Sequence, residues 1–297
     1  MRKLSLSGCS NPLMPLQAVR SNEIPLVCIP GAGASVTVFI DLVGQLGERW
    51  PTYGLQPRGI DPTEYPHESV EEAALYNLAA LVELNELGPI HLLGHSHGGL
   101  VAFDMARRLQ EQGLPVASLT LIDSEPPATA PEPDPSMDIS LILREFVDVL
   151  ENTYGRSLQI NDDITALTDI HSFVHILHAA LIRTNCWSAR SGQDMLHGPL
   201  ATYSAARRTR YMPATRYAGK VHLLLVRDPC LGEIGVEKLR EGYVDQWKRH
   251  VEELEVWYGS GHHFSILKLP HVTAVARCWR QAREDRIATS MSRGRST

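Results

Sequence analysis

The sequence predicts an α/β fold: a mostly parallel central sheet with helices on both faces and a helical insertion in its second half. Three observations carry that reading. Apolar runs of strand length alternate with helix-patterned stretches up to residue 123, in the strand-helix-strand order that a parallel sheet with right-handed crossovers requires. The stretch 126–216 then shows no convincing strand, and runs at 221–226 and 254–258 resume the sheet. Finally, Gly94-His95-Ser96-His97-Gly98 sits between a strand-like run and a helix-like run. A turn this tight strains its middle residue and leaves no room for side chains at the flanking positions. It therefore predicts a nucleophilic Ser96 with its hydroxyl lifted clear of the sheet.

Each element has its own justification. Residues 1–23, with Asn11-Pro12-Leu13-Met14-Pro15-Leu16, read as a linker-like segment ahead of one domain spanning 24–285. Leu26-Val27-Cys28-Ile29-Pro30 is continuously apolar and reads as a buried strand. The glycine-rich turn Gly31-Ala32-Gly33-Ala34-Ser35 follows, then a helix over 38–46. That turn lacks both a G-K-[ST] ending and G-x-G-x-x-G spacing, so it is not read as a nucleotide cradle.

Residues 51–55 form the next strand. Ser69 with Glu72 makes a capping box ahead of a helix whose apolar face holds Ala73, Leu75, Leu78, Ala79, Leu81 and Val82. The elbow strand is Pro89-Ile90-His91-Leu92-Leu93 and its helix covers 99–109; the strand at 115–122 ends at Asp123-Ser124. A proline-rich stretch from Pro126 to Pro135 opens the insertion, 126–216, expected to form a lid over the sheet's carboxyl edge. Amphipathic helices are expected around Leu141–Leu150 and over 170–182. A helix over 271–285 closes the domain, and the arginine-bearing tail 286–297 is expected to be disordered.

Composition excludes several classes. With 43% hydrophobic and 21% charged residues, the 297-residue chain can build a large core. A net charge of −6 with no basic, aromatic-interleaved stripe argues against nucleic acid. No apolar run approaches the roughly 20 residues of a membrane span. No apolar h-region follows the basic N-terminus, so no signal peptide is expected. Cys9, Cys28, Cys186, Cys230 and Cys278 are scattered and odd in number, which suits free thiols in a reducing cytoplasm and not a cysteine zinc site.

A serine nucleophile needs a base, and the base an orienting acid. His262 and His263, in the glycine-rich loop after the last strand, both stand where the base belongs. Asp123 and Asp228 both end strands at the carboxyl edge, where ligands bind in open parallel sheets, and composition does not choose between them. His171, His175 and His178 share one face of the helix over 170–182. With no H-E-x-x-H and no evident fourth ligand, no metal is expected there.

With these residues in hand, the chain resembles the α/β-hydrolase thioesterases that release products from non-ribosomal peptide and polyketide synthases. The resemblance covers roughly residues 12–280. It rests on Pro30-Gly31-Ala32-Gly33, Tyr53-Gly54-Leu55-Gln56, Gly88-Pro89, Gly94-His95-Ser96-His97-Gly98-Gly99, Leu121-Ile122-Asp123-Ser124-Glu125-Pro126-Pro127 and Gly261-His262-His263-Phe264-Ser265-Ile266-Leu267. It implies Ser96 as nucleophile, His263 as base and Asp123 as acid, because the release domains place the acid at the L-I-D-S end. Stand-alone editing relatives use the later strand, where Asp228 lies. The family's G-D-H-F is here Gly261-His262-His263-Phe264, which changes the charge of that loop.

The resemblance further implies an oxyanion hole from the N–H groups of Ala32 and His97, and a carrier protein as partner. The substrate would arrive on the carrier's phosphopantetheine arm, with no other cofactor. Pro12-Leu13-Met14-Pro15-Leu16-Gln17 resembles the linker between a carrier domain and such a thioesterase, so the chain reads as an excised terminal domain or a discrete protein. A stand-alone editing thioesterase and a general carboxylesterase are the alternatives. Phe173 and Ile176 of the lid are expected to face the substrate. The acyl group, the choice between water and an internal nucleophile, and the oligomeric state are not legible.

Overall fold

The computed structural model describes residues 11–19, 21–82, 88–128, 138–160 and 169–293, with 285–293 as backbone only. Among them one sheet runs in the order β1-β3-β2-β4-β5-β6-β7. Its strands are β1 (Leu13–Gln17), β2 (Leu26–Ile29), β3 (Thr52–Leu55), β4 (Ile90–His95), β5 (Val116–Ile122), β6 (Tyr217–Arg227) and β7 (Val251–His262). Every neighbouring pair is parallel except β1 with β3. The helices are α1 (Ile40–Leu46), α2 (Val70–Ala80), α3 (His97–Glu111), α4 (Ile139–Tyr154), α5 (Ile170–Arg183), α6 (His197–Arg208), α7 (Glu233–Trp247) and α8 (Val272–Arg293).

The order of the strands decides where a ligand can bind. After β2 the chain steps outward to β3, then returns past β2 to β4, so the winding reverses between β2 and β4. The crevice at such a switch point, outside the carboxyl ends of the strands, is where open parallel sheets bind ligands. Ile29 pairs with Gly94, His95 with Ile122, and Ile122 with Leu224, so β2, β4 and β5 end within a residue of one another while β6 runs on to Arg227.

Alternation along the buried strands splits the core in two. Val27, Ile29, Leu92, Leu119 and Leu121 face α2, α3 and Trp247 on one side. Leu26, Cys28, Leu93, Ile122 and Leu224 face α1 and α8, with Trp279, on the other. Half of the capping box forms as expected: Glu72 N–H donates to Ser69 Oγ (3.1 Å), while the Glu72 carboxylate reaches one residue further and accepts from Glu68 N–H (3.2 Å).

Part of the segment expected as a linker is strand. Leu13–Gln17 pairs antiparallel on β3, and Gln17 Nε2 donates to the carbonyls of Gly47 and Trp50. Pro15 fits there because an edge strand has one side that needs no ladder hydrogen bonds. Residues 1–10 lie outside the described residues. The tail expected to be disordered is helical backbone to Arg293, and 294–297 lie outside the described residues. Helix α7 gave no sequence signal because it buries only Val236 and Trp247, too few for an apolar stripe.

The insertion carries α4, α5 and α6 and, among the described residues, no strand. Most of the proline-rich stretch, 129–137, and residues 161–168 fall outside the described residues. The three helices build a core of their own around Phe146, Phe173, Leu177, Leu181 and Leu200. Its seat on the body is tight: a methyl group on Gly198, in α6, would lie 1.9 Å from the carbonyl oxygen of Ile60. No described helix is long and apolar enough to cross a membrane.

Gly98→Ala puts a methyl carbon 2.3 Å from the carbonyl oxygen of Pro30, against backbone that cannot yield. It is expected to cost more than about 2 kcal/mol or to prevent folding. Gly44→Ala, in the exposed interior of α1 with nothing within 4 Å, is expected to stabilise by about 0.5–1 kcal/mol. Urea denaturation of both variants measures the difference.

Candidate active site

Strand β4 runs straight into α3, and the turn residue between them is Ser96, at φ 54° and ψ −129°. This is a conformation that an L-residue adopts only where its surroundings force it, at a cost of about 1–3 kcal/mol. The forcing groups are the glycines. A methyl on Gly94 would lie 2.3 Å from the Gly98 oxygen, and one on Gly99 1.8 Å from Ser124 Oγ. Ser96 N–H is tied to the Ile122 carbonyl (2.9 Å), which fixes the turn against β5.

Asp123 follows β5 directly, also at positive φ (46°), with its N–H on the Leu224 carbonyl (2.7 Å). Its Oδ1 accepts from Val226 N–H (3.1 Å), and its Oδ2 lies 2.7 Å from His263 Nδ1. Burial pushes this carboxyl up. The His263 hydrogen bond and charge, then the Val226 N–H, outweigh it and hold the group below the usual carboxylate range. Asp123 is therefore ionised at neutral pH and can only accept, so His263 carries its proton on Nδ1. The lowered carboxyl contributes stability above about pH 4 that is lost as pH falls through its folded value.

His263 begins the loop just past β7, where Arg227 pairs with His262. His95 holds it from behind: the rings lie 4.9 Å apart, and His95 Nε2 donates to the His263 carbonyl (3.2 Å). Burial first, and then the charge of His263, push His95 down to about 3, so it packs there as a neutral ring. Burial likewise lowers His97 to about 4. The supporting role of His95 was not legible in sequence, where it is only the residue before Ser96.

The structure separates the sequence candidates. Asp123 meets His263. Asp228 instead accepts from Cys230 N–H (2.8 Å) and lines the cavity mouth. His262 is bound up in its own loop: its N–H donates to Ser265 Oγ (2.9 Å) and its Nδ1 accepts from Phe264 N–H (3.4 Å). Of the three histidines on α5, His178 Nε2 donates to the Ser191 carbonyl (2.7 Å) and His175 Nδ1 sits 3.5 Å from Gln193 Oε1.

Ser96, Asp123 and His263 line one cavity of about 470 Å³, with Ala32 and His97 in its wall. The lid supplies Val149, Asn152, Tyr203 and Arg207. Phe173 and Ile176, expected to face substrate, are not among the residues that line this cavity. Phe173 is buried inside the lid's own core and Ile176 is 41% exposed, because α5 spends its apolar face on α4 and α6. Arg207 spans to Glu145 through two hydrogen bonds (2.7 and 3.0 Å), which pins α6 to α4 beside the cavity.

A family model for the thioesterase domain matches residues 24–282. The chain belongs to this family. Among curated relatives, indigoidine synthase of Streptomyces lavendulae is 35% identical over 113 residues, 38% of this chain and 9% of that protein. A dimodular nonribosomal peptide synthase of Bacillus subtilis is 35% identical over 114 residues, 38% of this chain and 5% of its own length. The chain thus spans a small part of the synthases it matches.

Among solved structures, the Vlm2 thioesterase domain bound with a dodecadepsipeptide is 20% identical with a TM-score of 0.64, over 90% of this chain and 95% of that one. The type II thioesterase BorB of the borrelidin cluster is 20% identical with a TM-score of 0.63, over 92% and 98%. At that identity they show the shared α/β-hydrolase fold.

Asp123→Asn is expected to lower kcat by about 10⁴-fold, since an amide can donate to His263 and fix the wrong tautomer. Asp228→Asn is expected to change it by less than about tenfold. Thioester turnover measured on both variants, with circular dichroism to show that each is folded, tests the assignment.

Proposed function

We propose that the chain is a product-releasing thioesterase acting on an acyl or peptidyl chain held as a thioester on a carrier's phosphopantetheine arm. The observation that carries this reading is the Asp123–His263 hydrogen bond, opening into the same cavity as a serine on a strained turn. His263, protonated on Nδ1, has Nε2 available to take the Ser96 proton. Ser96 Oγ attacks the thioester carbonyl, and the N–H groups of Ala32 and His97 stabilise the oxyanion, typically worth about 3 kcal/mol per donor. The pantetheine thiolate leaves, taking a proton from His263. Water or an internal amine or hydroxyl of the chain then attacks the acyl-enzyme, again with His263 as base, giving an acid or a macrocycle.

Two features support release over editing. The acid stands at the end of β5, as in the release domains that the sequence resembles, and not after β6. The cavity, about 470 Å³, also exceeds what a misplaced acetyl group needs.

Intact-protein mass measurement tests the proposal. A long acyl or peptidyl group on a pantetheine thioester or a loaded carrier is expected to acylate Ser96 at least about tenfold faster than an acetyl thioester or a simple nitrophenyl ester does. Ser96→Ala removes the adduct, His263→Ala is as damaging, and His262→Ala is much milder. Equal rates on all substrates would make the chain a general esterase, and a preference for acetyl-loaded carriers would make it an editing enzyme.

A further inference from the structure

Behind the oxyanion turn lies a second, smaller cavity of about 70 Å³. It shares Ala32, His97 and Ala206 with the catalytic cavity, so the two are separated only by that wall. Most of its lining is apolar, with Leu55 and Val101 among the contributors. Arg58 and His67 also line it, and the same two residues line a depression on the outer surface with Glu68 and Glu72.

Arg58 is out of place in such a wall. It is only half-exposed, and among the described residues it makes no ion pair and no hydrogen bond. Its Nε and the Nε2 of His67 are both buried without a protein partner. His67 packs its ring against Tyr76, 5.0 Å between centroids, which holds it in place without using that nitrogen. Neighbouring arginines of the same fold are treated differently: Arg107 and Arg207 are each matched to carboxylates. A half-buried guanidinium with no ion pair among the described residues, beside an apolar space, can take an anionic group, even with Glu64 and Glu72 close enough to act on the neighbouring His67.

The rest follows from size. A water needs about 10–15 Å³ of such space, so this cavity has room for the few atoms at the end of a chain and not for a ring. We propose that it is a specificity pocket for the far end of the substrate: an acyl or peptidyl chain on Ser96 passes the wall formed by Ala32, His97 and Ala206 and sets a terminal or side-chain carboxylate against Arg58 and His67. This rests on the thioesterase reading above and adds to it the chemical class of the chain, one that carries a carboxylate away from the thioester.

The test compares acyl N-acetylcysteamine thioesters matched in length, hexanoyl with adipoyl up to dodecanoyl with dodecanedioyl, by intact mass for Ser96 acylation and by thiol release for kcat/KM. At one chain length the carboxylate-ended thioester is expected to react about tenfold faster or more than its methyl-ended partner. In Arg58→Met the preference is expected to invert in favour of the methyl end, a change that partial unfolding cannot produce because it would slow both. A wild-type enzyme that never prefers the carboxylate end overturns the pocket without recourse to any variant. So does a preference that persists in Arg58→Met. Adducts formed on Ser96 without end-group preference leave the thioesterase reading standing and remove only the pocket. No adduct from any thioester, with the protein folded, removes both.

Discussion

There is no room for a methyl group between the turn after β4 and the chain on either side of it. The Gly94, Gly98 and Gly99 positions each come within 2.3 Å or less of another residue's atoms when a methyl is added. The contact partners are what make this consequential. Gly98 touches the carbonyls of Ile29 and Pro30 at the end of β2, and Gly99 touches Ser124 just after Asp123. One close approach therefore fixes three places relative to one another: the turn after β2, Ser96 and Asp123. The strain of Ser96 is held by packing that cannot relax without separating β2 from α3.

Electrostatics then completes what packing starts. Asp123 is mostly buried, which by itself raises its carboxyl above the usual range. The His263 ring and the Val226 N–H outweigh that and keep it charged, so the carboxylate depends on both being in place. His95 adds a neutral ring behind His263 and a hydrogen bond to its carbonyl, which ties the loop after β7 back to the strand that carries the nucleophile. His263 is thus supported from β4 and held from β5, though it belongs to neither.

The lid is organised on different terms. It has its own core and touches the body at close points, among them Gly198 on Ile60 and Tyr203 beside Gly33. The catalytic cavity is the space left between two separately packed units. Its upper wall is built from α4 and α6, fixed to each other by Glu145 and Arg207.

Much of this was legible in the chain. Continuous apolar runs located β2, β4, β5 and β6, since strands buried on both faces have no polar side to interrupt the pattern. The elbow glycines located Ser96, because the turn excludes every larger residue. What the sequence left open were questions of mutual position. Both Asp123 and Asp228 end strands and both His262 and His263 follow one. Only the pairing of β5 with β6 and β6 with β7 brings Asp123, with its positive φ, to His263. The same reason explains the errors. Phe173 and Ile176 carry the right chemistry for a substrate wall, but which neighbour an amphipathic face packs against is not a local property. Leu13–Gln17 and α7 lie at the edge of the fold, where few residues are buried and pattern is weak. Local sequence determined which residues could do the chemistry; the sheet's order and the packing of the lid decided which of them meet.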